Sequence, residues 1–191
     1  MRTNDWSGLV TGYNVGLFFH LLGVVTLFGG VTIIQLGGAR LRAAATIEEV
    51  QLWLGLLRLT GAMFSPATLL LLASGLYMTA EAWTFETPWI AVSIAGLLIM
   101  PLLGGTVVSR QMAAIGRSAA DAETGAVPSE VKRLIATPAG WAAAFALNGI
   151  ALGILWVMAI KPGLAHSIVA VLGLAILGAV IGYLVSGPRS R

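Results

Sequence analysis

Two histidines are the side chains in this sequence best suited to chemistry. His20 lies in an almost wholly apolar run, FFHLLGVVTLFGG, and His166 lies at the start of another apolar run near the C-terminus. Hydrocarbon penalises an ionisable group, so an imidazole inside a membrane segment is by default a functional candidate. Neutral imidazole is also a common axial ligand of haem iron. Two helices that each present one histidine from a similar depth would hold haem b between them.

Other interpretations of these histidines stay open. His20 could instead be a packing residue, hydrogen-bonded to Asn148, a hydroxyl or a backbone carbonyl. His166 follows a turn near the expected membrane surface, where an exposed histidine needs no special role. A site with His20 as its one histidine, completed by a methionine or water, is equally open, and Met100 beside Pro101 is the methionine of interest.

Few other polar side chains lie inside the apolar runs. The amides among them are Asn14, Gln35 and Asn148. Asn148 is typical of a hydrogen bond between helices, with a substrate contact as the alternative. No carboxylate lies in an apolar run, which disfavours a proton relay or an ion-coupled transporter. The absence of cysteine excludes thiolate metal sites and iron–sulfur clusters, and no HExxH grouping is present, so no site for a bare metal ion is assigned.

The composition indicates a membrane protein. Of the 191 residues, 58% are hydrophobic and 10% are charged, whereas soluble domains carry about 25% charged residues. Several charge-free windows are long enough for the roughly 20 residues that a helix needs to cross a bilayer. The sequence therefore predicts an all-α polytopic transmembrane helix bundle, a single membrane domain over 1–191, with five spans near 12–36, 62–80, 88–110, 138–160 and 164–186.

The distribution of basic residues predicts the orientation of the bundle. Two of the 11 basic residues, Arg2 and Lys161, lie on one side of the predicted spans, and the others lie on the opposite side. The positive-inside rule then places the N-terminus outside and the C-terminus in the cytoplasm, in a bacterial inner membrane. The basic residues flank spans and form no patch, so nucleic acid is not a predicted partner. Tryptophans fall at the outer span ends (Trp6, Trp83, Trp89, Trp156) and at the inner ones (Trp53, Trp141).

Two segments on the basic side are predicted to lie outside the spans. Residues 44–60 are interpreted as an amphipathic helix on the cytoplasmic surface, with Thr46 and Glu49 as a capping box at its start. Pro66 marks where this helix bends or restarts, and one continuous kinked helix is the alternative. Residues 111–137 are predicted to form a cytoplasmic loop, with short helices on each side of a flexible centre.

Glycines at helical spacing predict close helix packing. The pairs Gly12–Gly16, Gly149–Gly153 and Gly178–Gly182 fit the GxxxG pattern, in which two helix backbones approach closely. These faces could pack within the chain, against a second copy in a homo-oligomer, or against partner membrane subunits. Pro101, near the middle of the third span, removes one backbone donor and predicts a kink there.

Short motifs follow one another along the first three predicted helices. The first has a histidine followed by glycine, the second runs through proline to Ser-Gly, and the third begins at tryptophan and ends in a basic, glutamine-containing segment. The residues concerned are His20 and Gly23, Ser65 and Pro66, Ser74 and Gly75, Trp89, Arg110 and Gln111. This order resembles the domain-of-unknown-function (2269-type) family of predicted bacterial integral membrane proteins. The resemblance covers roughly 14–160 and implies four spans, with the fifth as an addition.

The first-helix histidine is also similar to that of two better-understood groups of membrane bundles. These are the copper-resistance D-type proteins and the haem-pathway membrane protoporphyrinogen oxidases. The second resemblance implies that a membrane histidine binds haem, and His20 is the one residue carried over, as a candidate ligand. The oxidase motif also has a basic residue that no intramembrane Lys or Arg matches here, so no enzymatic activity is assigned.

Three functions are compatible with these features. The leading hypothesis is a redox-type bundle in the lipid bilayer that binds haem b or a metal, with His20 as the ligand near the outer face. The first alternative is a non-catalytic accessory or scaffold subunit that packs against partner helices through its glycine-rich faces. The second is a small permease for a neutral or apolar solute, with a cavity beside Pro101 and Asn148.

Overall fold

The computed structural model describes residues 11–186, and the structural statements below refer to that part of the chain. Four residues that the sequence arguments used lie outside the described residues: Arg2, Trp6, Arg189 and Arg191. Seven α-helices follow one another, with a π-helical turn between the third and the fourth. They are α1 Gly12–Ala43, α2 Ile47–Ala82, α3 Pro88–Leu103, the turn Gly104–Val108, α4 Ser109–Ala120, α5 Ser129–Ile135, α6 Pro138–Ile160 and α7 Leu164–Val185.

Five helical segments of the described chain are long and apolar enough to cross a membrane. They are Gly12–Ala43, Ile47–Ala82, Pro88–Ala120, Ser129–Ile160 and Leu164–Val185. Most of their large apolar side chains are exposed on the outside of the bundle, where lipid satisfies them, and the backbone hydrogen bonds are made within each helix. The predicted all-α class and the five spans are confirmed.

The first two helices are longer than a bilayer requires. α1 has 32 residues and α2 has 36, which correspond to about 48 and 54 Å, against about 30 Å for the hydrocarbon core. α2 is continuous through Pro66, so the structure has the second of the two alternatives, one long helix. Residues 47–60 are its first turns and not a separate element. Their position on the cytoplasmic surface stays a prediction.

The predicted capping box at the start of α2 is formed. The Thr46 hydroxyl accepts a hydrogen bond from the Glu49 backbone N–H at 3.3 Å, and the Glu49 carboxylate accepts one from the Ala45 N–H at 2.8 Å. Hydrogen bonds from its own backbone N–H and from the Thr46 side chain hold the pKa of the neighbouring Glu48 carboxyl below its ordinary value. Negative charge in this first turn also complements the helix dipole.

The basic-side ends of the helices have a hydrophobic core of their own. α4 continues the third span, and α4 and α5 pack against the extended ends of α1 and α2. The buried residues are Leu41, Ile47, Val50, Leu54, Leu57, Ile115, Ala119, Val127, Val131, Ile135 and Trp141. We call this part the inner base. Segment 111–137 is thus mostly helix packed into the inner base.

The centre of segment 111–137, expected to be flexible, is held by backbone hydrogen bonds. The Ile47 N–H donates to the Gly125 carbonyl at 2.9 Å, and the Val127 N–H donates to the Ala45 carbonyl at 3.2 Å. These two bonds pin the α4–α5 connection to the α1–α2 turn. Polar composition does not reveal that Val127 is a core residue, 4% exposed. The flexibility of this centre stays a prediction.

A second core lies at the level of the membrane centre. It joins α1 and α2 to α3, α6 and α7 through buried apolar residues: Leu27, Leu71, Leu97, Ile150, Ala151, Ile154, Val157 and Val171. The third span is irregular where Pro101 predicts a disturbance, since the π-helical turn Gly104–Val108 begins three residues later. A missing donor at proline shifts the hydrogen-bond ladder, and π-turns are one way a helix absorbs that shift.

The opposite end of the bundle is closed by aromatic residues around a lysine. The rings of Trp83 and Trp89 meet edge to face at 5.3 Å between centroids, and Lys161 Nζ lies 4.7 Å from the Trp83 ring centroid. Lys161 ends α6 in the left-handed conformation, with φ 55°. This cation–π contact ties the α2–α3 connection to the α6–α7 turn.

Candidate functional site around His20

His20 lies on the face of α1 that packs against α2. Residues on this face recur at alternating spacings of four and three, the heptad pattern of helices that pack side by side. Glycine alternates along it with a larger residue, in the order Gly16, His20, Gly23, Leu27, Gly30, Ile34, Gly37 and Leu41. His20 therefore belongs to a helix–helix interface, and 7% of it is exposed. We call this interface the α1–α2 seam.

Ser74 on α2 is the hydrogen-bonding partner of His20. The distance from His20 Nδ1 to Ser74 Oγ is 3.2 Å, and both residues are buried. Ser74 Oγ also lies 2.5 Å from the Leu70 carbonyl oxygen and 3.3 Å from that of Leu71. A hydroxyl has one proton to donate and a carbonyl oxygen has none. The short contact therefore uses the Ser74 proton for Leu70.

These contacts favour one tautomer of the imidazole. Because the Ser74 hydroxyl donates to Leu70, its oxygen can accept a hydrogen bond from the Nδ1–H of a neutral His20. The backbone of Leu71 is a further hydrogen-bonding partner of the ring, and in this tautomer Nε2 keeps its lone pair. Histidines that bind metals are commonly prepared in this way, with one ring N–H bonded to an acceptor and the other nitrogen free to coordinate.

Glycines beside the imidazole determine how much space surrounds it. A Cβ built on Gly75 would lie 3.5 Å from the ring Cε1, in ordinary contact, so its absence leaves about the space of one methyl group beside that edge. One turn outward, a Cβ on Gly16 would lie 2.9 Å from Tyr77 Cδ1. One turn inward, a Cβ on Gly23 would lie 2.8 Å from Leu71 Cγ. Large side chains of α2 fill the gaps on both sides, so the imidazole occupies a defined layer of the seam.

The structure does not bring the other two proposed ligands to His20. His166 is exposed in the first turn of α7, and α7 packs on α6 and α3, whereas α1 packs chiefly on α2. Met100 lies on α3 and packs against the core at the membrane centre. A site with two histidines from facing helices is therefore not formed within the described chain. The roles of His166 and Met100 as ligands stay predictions.

The three amide side chains also lie apart from His20. Asn148 is half-buried on α6, and the Ser74 hydroxyl, not Asn148, is the side chain that hydrogen-bonds to His20. Gln35 is half-buried further along α1. Asn14 is exposed in the first turn of α1, where its backbone N–H donates to the Thr11 hydroxyl at 3.2 Å. None of the three contributes to the His20 layer.

The sequence motif included Ser74, but its role beside His20 was not predicted. The sequence feature that could have identified this role is the spacing of the buried residues of α2. Ser74 belongs to a buried face of α2 with the same four-and-three spacing, which includes Leu57, Phe64, Ala67 and Leu71. Aligning two such faces in antiparallel register places a polar residue opposite a polar residue, because each would otherwise be buried without a partner.

The glycines of the GxxxG pairs face other helices of the same chain. A homo-oligomer or a complex with partner subunits stays a prediction. A Cβ built on Gly149 would overlap the Leu174 carbonyl oxygen of α7, and one on Gly178 would overlap the Phe145 carbonyl oxygen of α6. We call this contact the α6–α7 seam. Gly12 and Gly16 face Tyr77 of α2.

A second polar group lies in the inner base, and its role is structural. The Arg42 guanidinium lies 4.2 Å from the Trp141 ring centroid, and Trp141 Nε1 donates to the Ile135 carbonyl at 2.5 Å. Gln111 Nε2 donates to the Leu134 carbonyl at 3.1 Å. Together these contacts tie α1, α4, α5 and α6 to one another where the helices leave the membrane.

The site supplies one nitrogen ligand from a fixed imidazole. No group of three or more His, Cys, Asp or Glu side chains that could enclose a metal ion occurs in the described residues. The chemistry available at His20 is therefore coordination of one metal centre that brings its other ligands with it, as a porphyrin does.

The fold and the buried imidazole together define a polytopic helical membrane protein. A family model described as "Predicted integral membrane protein (DUF2269)" matches residues 15–162, and the chain belongs to this family. The match ends before α7 begins at Leu164, so four of the five spans lie within it. No curated protein and no solved structure matches the chain. What the two better-understood families imply about haem therefore stays a prediction.

Proposed function

We propose that this protein binds haem b in the membrane through Nε2 of His20. The observation that carries the proposal is the hydrogen bond between His20 Nδ1 and Ser74 Oγ at 3.2 Å. It orients the ring and leaves Nε2 as the coordinating atom. A bond of this kind to the remote nitrogen also raises the basicity of a metal-bound imidazole.

A haem bound at His20 would have one protein ligand, because within the described residues no second side chain that could ligate iron lies at this layer. Since Leu71 and Tyr77 fill the seam on both sides of the imidazole, α1 and α2 would have to move apart at this layer for a haem to reach Nε2. The exposed apolar side chains of Phe18 and Phe19 flank His20 on α1. Haem, when bound, supplies one-electron chemistry. In this proposal the chain would hold it through Nε2, and Ser74 orients the imidazole.

We further propose that the protein lies in a bacterial cytoplasmic membrane with its N-terminus outside. The support is the distribution of charge in the bundle. Seven basic residues lie at the inner-base end of the helices, namely Arg40, Arg42, Arg58, Arg110, Arg117, Lys132 and Arg133. The described part of the opposite end carries Lys161 together with Glu81 and Glu86. The positive-inside rule assigns the first end to the cytoplasm, and His20 then lies in the outer half of the membrane.

Absorption spectroscopy of the full chain in mild detergent tests haem binding. Oxidised and dithionite-reduced spectra are recorded for the protein as purified and after addition of haem. We expect a Soret band in the wild type and in His166→Ala, and no band in His20→Ala. Ser74→Ala should weaken haem binding about 10- to 100-fold, since loss of a bond to the remote nitrogen typically costs that much. A wild type whose spectrum with added haem is that of free haem in the same detergent, or a protein-bound band unchanged in His20→Ala, would overturn the proposal.

A specific observation also favours a second candidate, a non-catalytic scaffold. His20 and Ser74 lie on the core faces of two packed helices, and one polar layer in an apolar heptad seam is a known way to fix register. In that case the pair sets the alignment of α1 against α2, and haem is not involved. The Soret test separates the two functions, because a register layer binds no haem.

A further inference from the structure

Six exposed basic side chains of the inner base have no carboxylate partner. They are Arg40, Arg58, Arg110, Arg117, Lys132 and Arg133. In the described part of the chain none of them forms an ion pair. Arg42 differs, because its guanidinium is stacked on Trp141. Unpaired arginines on one end of a membrane bundle are available to an external anion.

Helix geometry places Arg110 at the height of lipid headgroups. Counting about 20 residues from Pro88, the outer end of α3, covers the roughly 30 Å hydrocarbon core and ends near residue 108, so Arg110 lies just past it. Its guanidinium therefore reaches the headgroup layer of one leaflet. The guanidinium of Arg58 extends further from the membrane, since a Cβ built on Gly116 of α4 would lie 3.7 Å from Arg58 Nη2.

Hydrogen bonds bring a second arginine to the same level. Gln111 Nε2 donates to the Leu134 carbonyl at 3.1 Å and to the Thr137 carbonyl at 3.2 Å. These bonds hold the end of α5 beside the start of α4. Arg133, the residue before Leu134, is thus at about the height of Arg110. We call Arg110 and Arg133 the basic collar.

Three acidic residues of the inner base lie further from the membrane than Arg110. Glu48 and Glu49 are in the first turn of α2 and Asp121 follows α4, about 20 Å beyond the end of the hydrocarbon core by helix rise. Asp121 is about 16 Å from Arg110 by the same rise, more than the Debye length of about 8 Å at physiological salt. Glu130 lies closer to the collar, three residues before Arg133 on α5. Arg117 lines a groove together with Asp121 and Glu130.

We propose that the basic collar binds the phosphate of anionic phospholipids in the leaflet next to the inner base. Guanidinium groups pair with phosphate through two parallel N–H···O bonds, and the collar lies at the depth where a lipid presents that group. A basic pocket between helices at this depth is a common way to recognise anionic headgroups. This site lies at the other end of the bundle from His20 and does not depend on haem binding.

Lipid titration of the detergent-purified full chain tests the basic collar. Phosphatidylglycerol is the probe, phosphatidylcholine is the zwitterionic control, and soluble glycerol phosphate tests whether a free phosphate suffices. Binding is followed by native mass spectrometry and by the shift in thermal unfolding. We expect phosphatidylglycerol to bind more tightly than phosphatidylcholine, and soluble glycerol phosphate to bind neither detectably nor in competition with the lipid.

Variants of the collar identify the residues responsible. Arg110→Gln and Arg133→Gln should each weaken phosphatidylglycerol binding by roughly fivefold, and the double variant by much more. Arg110→Lys keeps the charge and should lose less than Arg110→Gln. Arg117→Gln is the matched control and should change binding by less than about twofold.

Three results would overturn the proposal. One is equal binding of phosphatidylglycerol and phosphatidylcholine by the wild type. Another is a loss in Arg117→Gln as large as that in Arg110→Gln. The third is binding of soluble glycerol phosphate as tight as that of the lipid, which would make the collar a site for free anions.

Discussion

The two main helix seams of this protein use glycine in different ways. In the α6–α7 seam, glycine faces backbone, since a Cβ on Gly149 or Gly178 would overlap a carbonyl oxygen of the other helix. In the α1–α2 seam, glycine faces the ends of large side chains. A Cβ on Gly30 would lie 3.2 Å from Phe64 Cζ, and one on Gly37 would lie 3.0 Å from Leu57 Cδ2.

The α6–α7 seam therefore holds two helices rigidly together, whereas the α1–α2 seam can accommodate a functional site. Two backbones in contact leave no volume for a functional side chain and no freedom to adjust. Side chains that fill glycine gaps can shift by a few tenths of an ångström, and one layer can be polar at tolerable cost if its groups are paired. The His20–Ser74 pair occupies such a layer in the α1–α2 seam.

The largest expected effect is a methyl group placed in the α6–α7 seam. Gly178→Ala should lower the free energy of unfolding by about 3 kcal/mol, because the new Cβ meets the Phe145 carbonyl, which cannot move without the helix. Gly173→Ala on the same helix is the matched control, since nothing lies within 4 Å of its Cβ position. Thermal unfolding in detergent measures both. Equal stability of the two variants would contradict backbone contact in this seam.

A smaller loss is expected when the polar layer loses one partner. Ser74→Ala removes the hydroxyl acceptor of the buried Nδ1–H of His20, which should cost about 1–2 kcal/mol. Adding His20→Leu removes the stranded donor and should recover much of that loss, so the two changes are coupled. A double-mutant cycle of unfolding free energies measures this coupling. Strictly additive effects would show that the two side chains are not bonded.

A methyl group in the α1–α2 seam should cost much less than one in the α6–α7 seam. Gly30→Ala meets the end of the Phe64 ring at 3.2 Å, which can rotate away, and alanine also favours the helix. The net change in unfolding free energy should be less than about 1 kcal/mol. Unfolding of Gly30→Ala and Gly178→Ala side by side tests the comparison directly. A larger loss in Gly30→Ala would reverse it.

The smallest expected effect concerns the first turn of α2, where the α1–α2 seam begins. The pKa of Glu48 is lowered from its ordinary value of 4.5, so its carboxylate stabilises the fold above that pH and the contribution disappears as pH falls through the lowered pKa. Glu48→Gln should thus reduce stability slightly at neutral pH and make no difference in strong acid. Glu123→Gln, with the same change in charge, is the control. A pH series of unfolding midpoints measures the difference between them.

Much of the membrane architecture could be predicted from the sequence. Charge-free apolar windows are a direct consequence of lipid as solvent, and so the five spans are confirmed. The capping box of Thr46 and Glu49 was also predicted, because it depends on residues close in sequence. The continuity of α2 through Pro66 was left open, since proline in a membrane helix permits both outcomes.

The inner base and the partner of His20 could not be predicted in the same way. The core that joins Leu41, Ile115 and Val131 exists once four helices come together, and no local pattern specifies that arrangement. Ser74 is 54 residues from His20 in sequence, so the pair depends on the register of two long helices. The two-histidine site failed to form in the described chain for the same reason, because helix adjacency decides whether His166 meets His20.

The central claim is that Ser74 fixes the proton of His20 on Nδ1 and leaves Nε2 free to bind iron. The most direct measurement is the ¹⁵N NMR spectrum of histidine-labelled protein in detergent. The sequence has two histidines, so in the His166→Ala variant the imidazole signals of the chain come from His20. We predict that His20 is the neutral tautomer with the proton on Nδ1 and none on Nε2. In Ser74→Ala we predict a mixture of the two neutral tautomers. A ring protonated on Nε2, or one unaffected by Ser74→Ala, would contradict the claim.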